Sequence, residues 1–392
     1  MRLALFCHSL LSDWNHGNAH FLRGVVSELA ARGHDVRAFE PRDAWSAVSL
    51  EEDHGEAPFS EVRRVYPRVD PIRYHLASLD LEEALDGADL VIVHEWSDPA
   101  LVRRIGELRA RGAPFRLLFH DTHHRAVSAP AAMALYDLSG YDGVLAFGAV
   151  LRDVYVARGW AARAWVWHEA ADTRIFGPLA PPPAPRDLVF VGNYGDEERT
   201  RELAELVLEP VRALRLDATV YGVRYPEEGR AALAAAGVAY EGWLPNYEVP
   251  AAFARHRVTV HVPRRPYVEA LRGIPTIRPF EALACGIPLV CATWHDDEHL
   301  FTPGRDFLVA RDGEEMKRHL TDVLSDAALA RDLRDHGRAT ILARHTCAHR
   351  VDELLEIAAE LGADTAPDPA RAAAPTRVSG GAPPTHLEGN TP

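Results

Sequence analysis

Residues 276–290 read TIRPFEALACGIPLV and set one acid, Glu281, among Pro279, Phe280, Ala282 and Leu283. Glutamate is rarely buried without a partner, so this carboxylate is either solvated or holds something. Just before it, Arg264, Arg265, Arg272 and Arg278 fall within fifteen residues. In a chain of net charge −14 such a local basic excess is where an anion would be held, unless it is a solvated loop. FHDTHHR at 119–125 crowds His120, Asp121, His123 and His124 at the end of an apolar run. It is open to a metal site, to a catalytic or ligand-binding histidine, or to polar residues that only end a strand. Adjacent side chains on an extended chain diverge, so His123 and His124 make an awkward ligand pair. SDWNHGNAH at 12–20 sets Gly17 and Asn18 between His16 and His20, imidazoles able to do acid–base work near neutrality. VGNYGDEER at 191–199 puts Gly192 and Asn193 after another apolar run, with Arg199 close behind. A glycine there lets backbone approach a phosphate or sugar, although an ordinary strand–helix turn reads the same way. WHDDEHLF at 294–301 imitates a metal cluster, with a polar loop as the plainer reading.

These residues need elements to hold them. LALFCHS, VRAFEP, ADLVIVHEW, FRLLFHDTHH, YDGVLAFG and ARAWVWHEAAD are short apolar runs, and helical periodicity separates several of them, as in NAHFLRGVVSELAARGHDV. Gly33 is a credible end for that helix. Continuous apolar strands alternating with helices predict an α/β fold with parallel sheets covered on both faces. GPLAPPPAPRD, 177–187, is a stiff linker with five prolines in eleven residues. After it the alternation restarts through DLVFVGNYG, DATVYGV, VTVHVP and IPLVCATW. The chain therefore divides into a doubly wound, Rossmann-like domain at 1–176, the linker at 177–187, a second such domain at 188–345, and a closing helix at 346–363. The tail from 364 to 392 has almost no large hydrophobes and is expected to be disordered. Ligands of two such domains sit in the cleft between them, at the carboxyl ends of the strands.

A length of 392 residues suits two cores, and 47% hydrophobic with 26% charged residues is ordinary for a globular chain. The negative charge argues against nucleic acid as a partner. Four cysteines, Cys7, Cys285, Cys291 and Cys347, form no CxxC pair, which leaves no disulfide scaffold or zinc ribbon. No run approaches the roughly 18 apolar residues of a membrane helix, and the amino terminus reads as a strand rather than a signal peptide. A cytoplasmic protein with no transmembrane segment is the expectation.

Four stretches resemble GT-B nucleotide-sugar glycosyltransferases of the glycosyl transferases group 1, in particular their CgeB-like (spore maturation) branch. HGNAHFLRGVVSELAARGHDV is similar to the first glycine loop and helix, and HEAADTRIFGP to the segment that closes the amino-terminal domain. RPFEALACGIPLVC resembles the donor-site motif, and HTCAHRVDELLEI the helix that ends CgeB-like domains. Together they span residues 1–362. The resemblance implies that Glu281 accepts hydrogen bonds from the ribose hydroxyls of a nucleotide, with Phe280 beside it and Arg278 on the phosphates. It also implies that Gly192, Asn193 and Arg199 approach the diphosphate, while Trp243 and Leu244, in EGWLPNYEVPAAF, meet the base. Gly17, Asn18 and His16 form the acceptor-side loop, and His120 takes the place of the histidine that contacts the donor sugar. One departure stands out: many retaining members carry a second Glu eight residues before this one, and here that position is Gly273.

The expected activity is transfer of a hexose from a nucleotide diphosphate sugar to a glycan, lipid or small-molecule acceptor, with retention. No DxD stands at a strand end, which agrees with the metal independence that the resemblance implies; no metal or other cofactor is expected, the nucleotide sugar being a substrate. Two rivals stay open: a sugar-nucleotide epimerase of the same architecture, and a non-catalytic sugar-nucleotide or polysaccharide-binding protein that keeps the fold.

Overall fold

The computed structural model describes residues 1–195 and 197–367; most of the tail expected to be disordered, from 368 on, lies outside the described residues. Two parallel sheets form the scaffold. The first comprises β1 (Arg2–Phe6), β2 (Asp35–Pro41), β3 (Ile72–Tyr74), β4 (Leu90–His94), β5 (Arg116–Asp121), β6 (Gly143–Ala146) and β7 (Ala164–Val166), in the order β3-β2-β1-β4-β5-β6-β7. The second comprises β8 (Arg186–Val191), β9 (Ala218–Tyr221), β10 (Ala239–Tyr240), β11 (His256–His261), β12 (Leu289–Ala292) and β13 (Leu308–Ala310), in the order β10-β9-β8-β11-β12-β13. Both follow the doubly wound order, whose direction of winding reverses beside β1 and β8. Arg186 and Asp187, which composition alone gives to the linker, open β8.

Each sheet is covered on both faces, as the unbroken apolar runs demand. Successive residues of a strand point to opposite faces. Leu3 and Leu5 of β1 join Ile92, Leu118 and Leu145 in one core, and Ala4 and Phe6 join Val91, Val93 and Phe119 in the other. In the second sheet Leu188 and Phe190 face one core, Val189 and Val191 the other.

The chain passes between the two layers near Ala171 and returns near Thr346, where the two passes pair: Ala171 N–H donates to His345 O at 3.0 Å and Cys347 N–H to Ala171 O at 3.0 Å. The closing helix, Cys347–Glu360, is capped by Thr346, whose hydroxyl pairs with the His349 ring at 2.7 Å and accepts the His349 N–H. This reciprocal cap is the physical content of the HTCAHR stretch. The helix lies on the first sheet's side. Val351, Leu354 and Ile357 enter the same core as Phe21 and Val25 of the Ala19–Ala31 helix. Gly24 makes this approach possible, since a Cβ there would sit 2.4 Å from the Cys347 sulfur.

Candidate active site

A cavity of about 710 Å³ lies between the layers, at the carboxyl ends of the strands beside the winding reversals. On one wall stand the segments after β1, β4 and β5; on the other stand those after β8 and β11 and the start of the Ile277–Cys285 helix. Hydrogen bonds tie the walls together. Asn193 Nδ2 donates to Asn15 Oδ1 at 2.6 Å, and Asp13 accepts from Trp243 Nε1 and Asn246 N–H at 3.1 Å each.

Two helices begin at the cavity, one from each wall. Gly17 and Asn18 precede the Ala19–Ala31 helix, and Thr276, Ile277 and Arg278 open the Ile277–Cys285 helix. Neither helix has a side-chain cap or an acidic residue in its first turn. Their positive dipole ends therefore face the cavity without a local counter-charge, a setting that favours an anion. The two starts meet closely: a Cβ on Gly17 would touch the Ile277 side chain at 3.3 Å.

Among the expected site residues, Gly17, Asn18, His16, Gly192, Asn193, Arg199, Trp243, Leu244 and Arg278 all line the cavity. Arg199 is fixed by donating to Val262 O at 2.9 Å and to Asn193 O at 2.7 Å. Of the other three arginines in the basic stretch, only Arg264 reaches the cavity, held by Glu198 at 2.6 Å. Arg265 turns to Glu197 and Glu202, and Arg272 pairs with Asp297 on the surface.

Three expected residues stand behind the walls. His120 lies within β5, paired with His94 and Leu145, so its ring points into the core between Phe21 and Trp167 and has no hydrogen-bond partner among the described residues. Burial pushes its pKa down to about 3. Of the histidines in this stretch, those that reach the cavity are His123 and His124, just past the strand end. Phe280 is two residues along the helix from Arg278 and so faces the opposite side, packed on Phe301 and His345. Glu281 is one turn from Arg278 and fully buried. Its Oε1 meets His20 Nδ1 at 2.8 Å and its Oε2 takes Arg278. His20 Nε2 accepts the Asp172 N–H at 2.9 Å, so in the neutral ring the proton given to Glu281 sits on Nδ1. His20 is thus a strut between the layers, stacked on Phe176, while His16 is the histidine of that loop that faces the cavity.

Gly273 has φ +92°, and Glu298 lies 3.2 Å from where its Cβ would be. The backbone there requires glycine, and Glu298 fills the nearby space by accepting from Ala149 N–H at 2.9 Å and meeting His168 Nε2 at 3.1 Å. The acids of 296–298 are engaged elsewhere, Asp296 by the Leu300 and Phe301 N–H groups. Among the described residues no group of three or more His, Cys, Asp or Glu is placed to hold a metal ion.

Glu169 is a site residue that the sequence did not single out. It follows β7, lines the cavity and accepts from Asn18 Nδ2 at 2.8 Å. Burial pushes its pKa up to about 8; Glu281 nearby adds to the rise, while the Asn18 bond and Arg278 oppose it. At neutral pH it is a neutral carboxylic acid beside the two helix starts. The signal for it was an acid inside an otherwise apolar run, WVWHEAAD. Trp45 and Trp96 also line the cavity and were not anticipated.

Residues 199–356 match the family model described as glycosyl transferase-like. No curated protein matches the chain. Among solved structures, sucrose-phosphate synthase from Thermosynechococcus elongatus is similar at TM-score 0.66 and 16% identity, covering 92% of this chain and 99% of that one. HepE from Anabaena, in complex with UDP and glucose, is similar at TM-score 0.63 and 12% identity, covering 92% and 99%. An alpha-glucosyltransferase in complex with UDP is similar at TM-score 0.65 and 12% identity, covering 92% and 100%. The two-domain GT-B fold is thereby shown. Among the described residues no helix is long and apolar enough to cross a membrane.

Proposed function

We propose that the chain is a glycosyltransferase that binds a nucleoside diphosphate sugar, with uridine as the base, and passes its hexose to an acceptor hydroxyl. The observation that carries this reading is the convergence of two uncountered helix starts with Arg199, Arg264 and Arg278 on one cavity. Preorganised cations and N–H donors stabilise the charge that develops on a departing diphosphate, the demand that a metal ion meets in other enzymes. A metal-independent reaction follows. Glu169 suits the same site because its protonated form adds no negative charge beside the phosphates.

Glu281 is the expected ribose partner, yet its oxygens are engaged by His20 and Arg278. In the proposed sequence Arg278 turns from Glu281 to a phosphate when the donor binds, which frees Oε2 to accept from a ribose hydroxyl. The base then lies toward Trp243 and Leu244. Gly273 removes the second acid of the usual pair, so the contacts to the sugar come from other residues. The likeness to the CgeB-like branch carries retention of configuration, read from the anomeric signal of the product by NMR.

Thermal shift with UDP, GDP, ADP and dTDP at millimolar concentration tests the donor site, since selective binding raises Tm by mass action. A selective rise with UDP, weakened in Glu281→Gln, is expected. No rise with any nucleotide would overturn the transferase reading. Gln is the proper substitution, because Ala would leave His20 and Arg278 facing an empty space.

A further inference from the structure

The cavity is electrically one-sided. Arg199, Arg224, Arg264 and Arg278 line it, all from the carboxy-terminal wall; among the described residues, the amino-terminal wall contributes no Arg or Lys. The acids of that second wall are also neutralised. Asp13 pairs with Arg23 at 2.8 Å, and Glu169 is protonated near neutral pH. Burial lowers the pKa of His16, His123 and His124, so these rings are uncharged as well.

This uncharged wall carries an exposed ring. Trp45 is 38% exposed, the most exposed aromatic among the described residues, although a tryptophan in water forfeits a large apolar contact. His8 lies on the ring at 4.5 Å between centroids, and Trp96 stands across it at 6.3 Å and 75°. The result is an L-shaped indole corner opening on the cavity. Beside it the His16 ring, only 5% exposed, presents Nε2 with no partner, and the amide oxygen of Asn18 likewise has none.

We propose that this wall is the acceptor subsite and that it takes an uncharged pyranoside, with the apolar face of the sugar on Trp45 and its hydroxyls toward His16 and Asn18. The proposal rests on the transferase reading and adds the acceptor's chemical class. One face of a pyranose is a patch of C–H groups that matches an indole by dispersion, and its hydroxyls can donate to the Asn18 amide oxygen and pair with His16 Nε2. A phosphorylated acceptor would find no cation lining this wall, since Arg125, 4.0 Å over the Trp96 ring, is paired with Glu95 and does not line the cavity, and the arginines opposite are those needed by the donor diphosphate.

The test uses the full chain saturated with UDP and saturation-transfer NMR with methyl glucosides, galactosides and mannosides and with glucose and mannose 6-phosphates. The neutral glycosides are expected to bind through the protons of one ring face. Trp45→Ala should weaken them by about tenfold or more, as loss of a stacking contact predicts, and Trp45→Phe should restore part of the loss. UDP should raise the Tm of both variants as it does for the wild type. Tighter binding of the phosphates, no binding of any glycoside at millimolar concentration, or unchanged binding in Trp45→Ala would each overturn the subsite. Absence of a UDP-dependent Tm rise in the wild type would instead overturn the transferase reading, and the subsite with it.

Discussion

Replacing Glu169 by Gln should make the protein more stable, by a margin that grows as the pH rises. In the fold the carboxyl titrates at about 8 against an ordinary value of 4.5, because burial disfavours its charge. Below about pH 4.5 it is protonated in both folded and unfolded chains and contributes no pH dependence. Between 4.5 and 8 the unfolded chain releases this proton while the folded chain keeps it, so stability falls by about 1.4 kcal/mol per pH unit. Above 8 both states are ionised and the loss levels off at about 5 kcal/mol, an upper bound because cavity water solvates the carboxylate. Gln keeps an oxygen to accept from Asn18 and carries no proton to lose. Urea unfolding of wild type and variant at pH 5, 7 and 9 is the assay, read as the difference between the two at each pH. The variant's advantage should widen from pH 5 to pH 9. A difference that stays constant with pH, or narrows, would refute the assignment. A second readout follows: UDP affinity of the wild type should fall as pH rises through 8, when the new carboxylate faces the diphosphate, and that of Glu169→Gln should not.

Arg278→Gln should weaken UDP by roughly 10- to 150-fold, the worth of one charge-assisted hydrogen bond, measured by calorimetry; unchanged affinity would remove Arg278 from the donor site. His20→Ala strands the Oε1 of Glu281 and the Asp172 N–H in the interior, so it should cost about 2–6 kcal/mol in urea unfolding. A cost under about 1 kcal/mol would show that the strut bears no stability. Gly273→Glu, which restores the usual acid pair in sequence, should destabilise by about 1 kcal/mol or more because the backbone is left-handed there and Glu298 stands in the way. Gain of activity in that variant would contradict this account.

The scaffold was legible because both domains repeat apolar runs broken by helical stretches, and those runs became the central strands. The place of Gly192, Asn193 and Arg199 on the cavity was readable for the same reason: residues just past a strand stand at the carboxyl edge of the sheet, where the cleft lies. His120 fails by the same rule applied one step too early. It is still inside β5, so its side chain obeys the sheet's alternation and enters the core, whereas His123 and His124 lie past the end. Phe280 and Glu281 show the helical version, where neighbours in sequence point to different sides. The His20–Glu281 contact joins residues 261 positions apart, and no local pattern announces it. Trp45 and Trp96 were equally silent, since a tryptophan in sequence gives no sign of whether its ring meets core or cavity.

The closing helix has a consequence for how the chain is made. The core of the first layer needs Val351, Leu354 and Ile357, which follow the entire second layer in sequence. On a ribosome the usual order, in which the amino-terminal domain folds first, cannot run to completion. The apolar side of the Ala19–Ala31 helix emerges early and waits for nearly the whole remaining chain, roughly 20–70 seconds at about 5–20 residues per second. During that interval the nascent first layer presents an uncovered greasy stripe, the kind of surface that holdase chaperones shield. A chain stopped before residue 347 would keep that stripe permanently, so premature termination late in the message should yield aggregation rather than a working half.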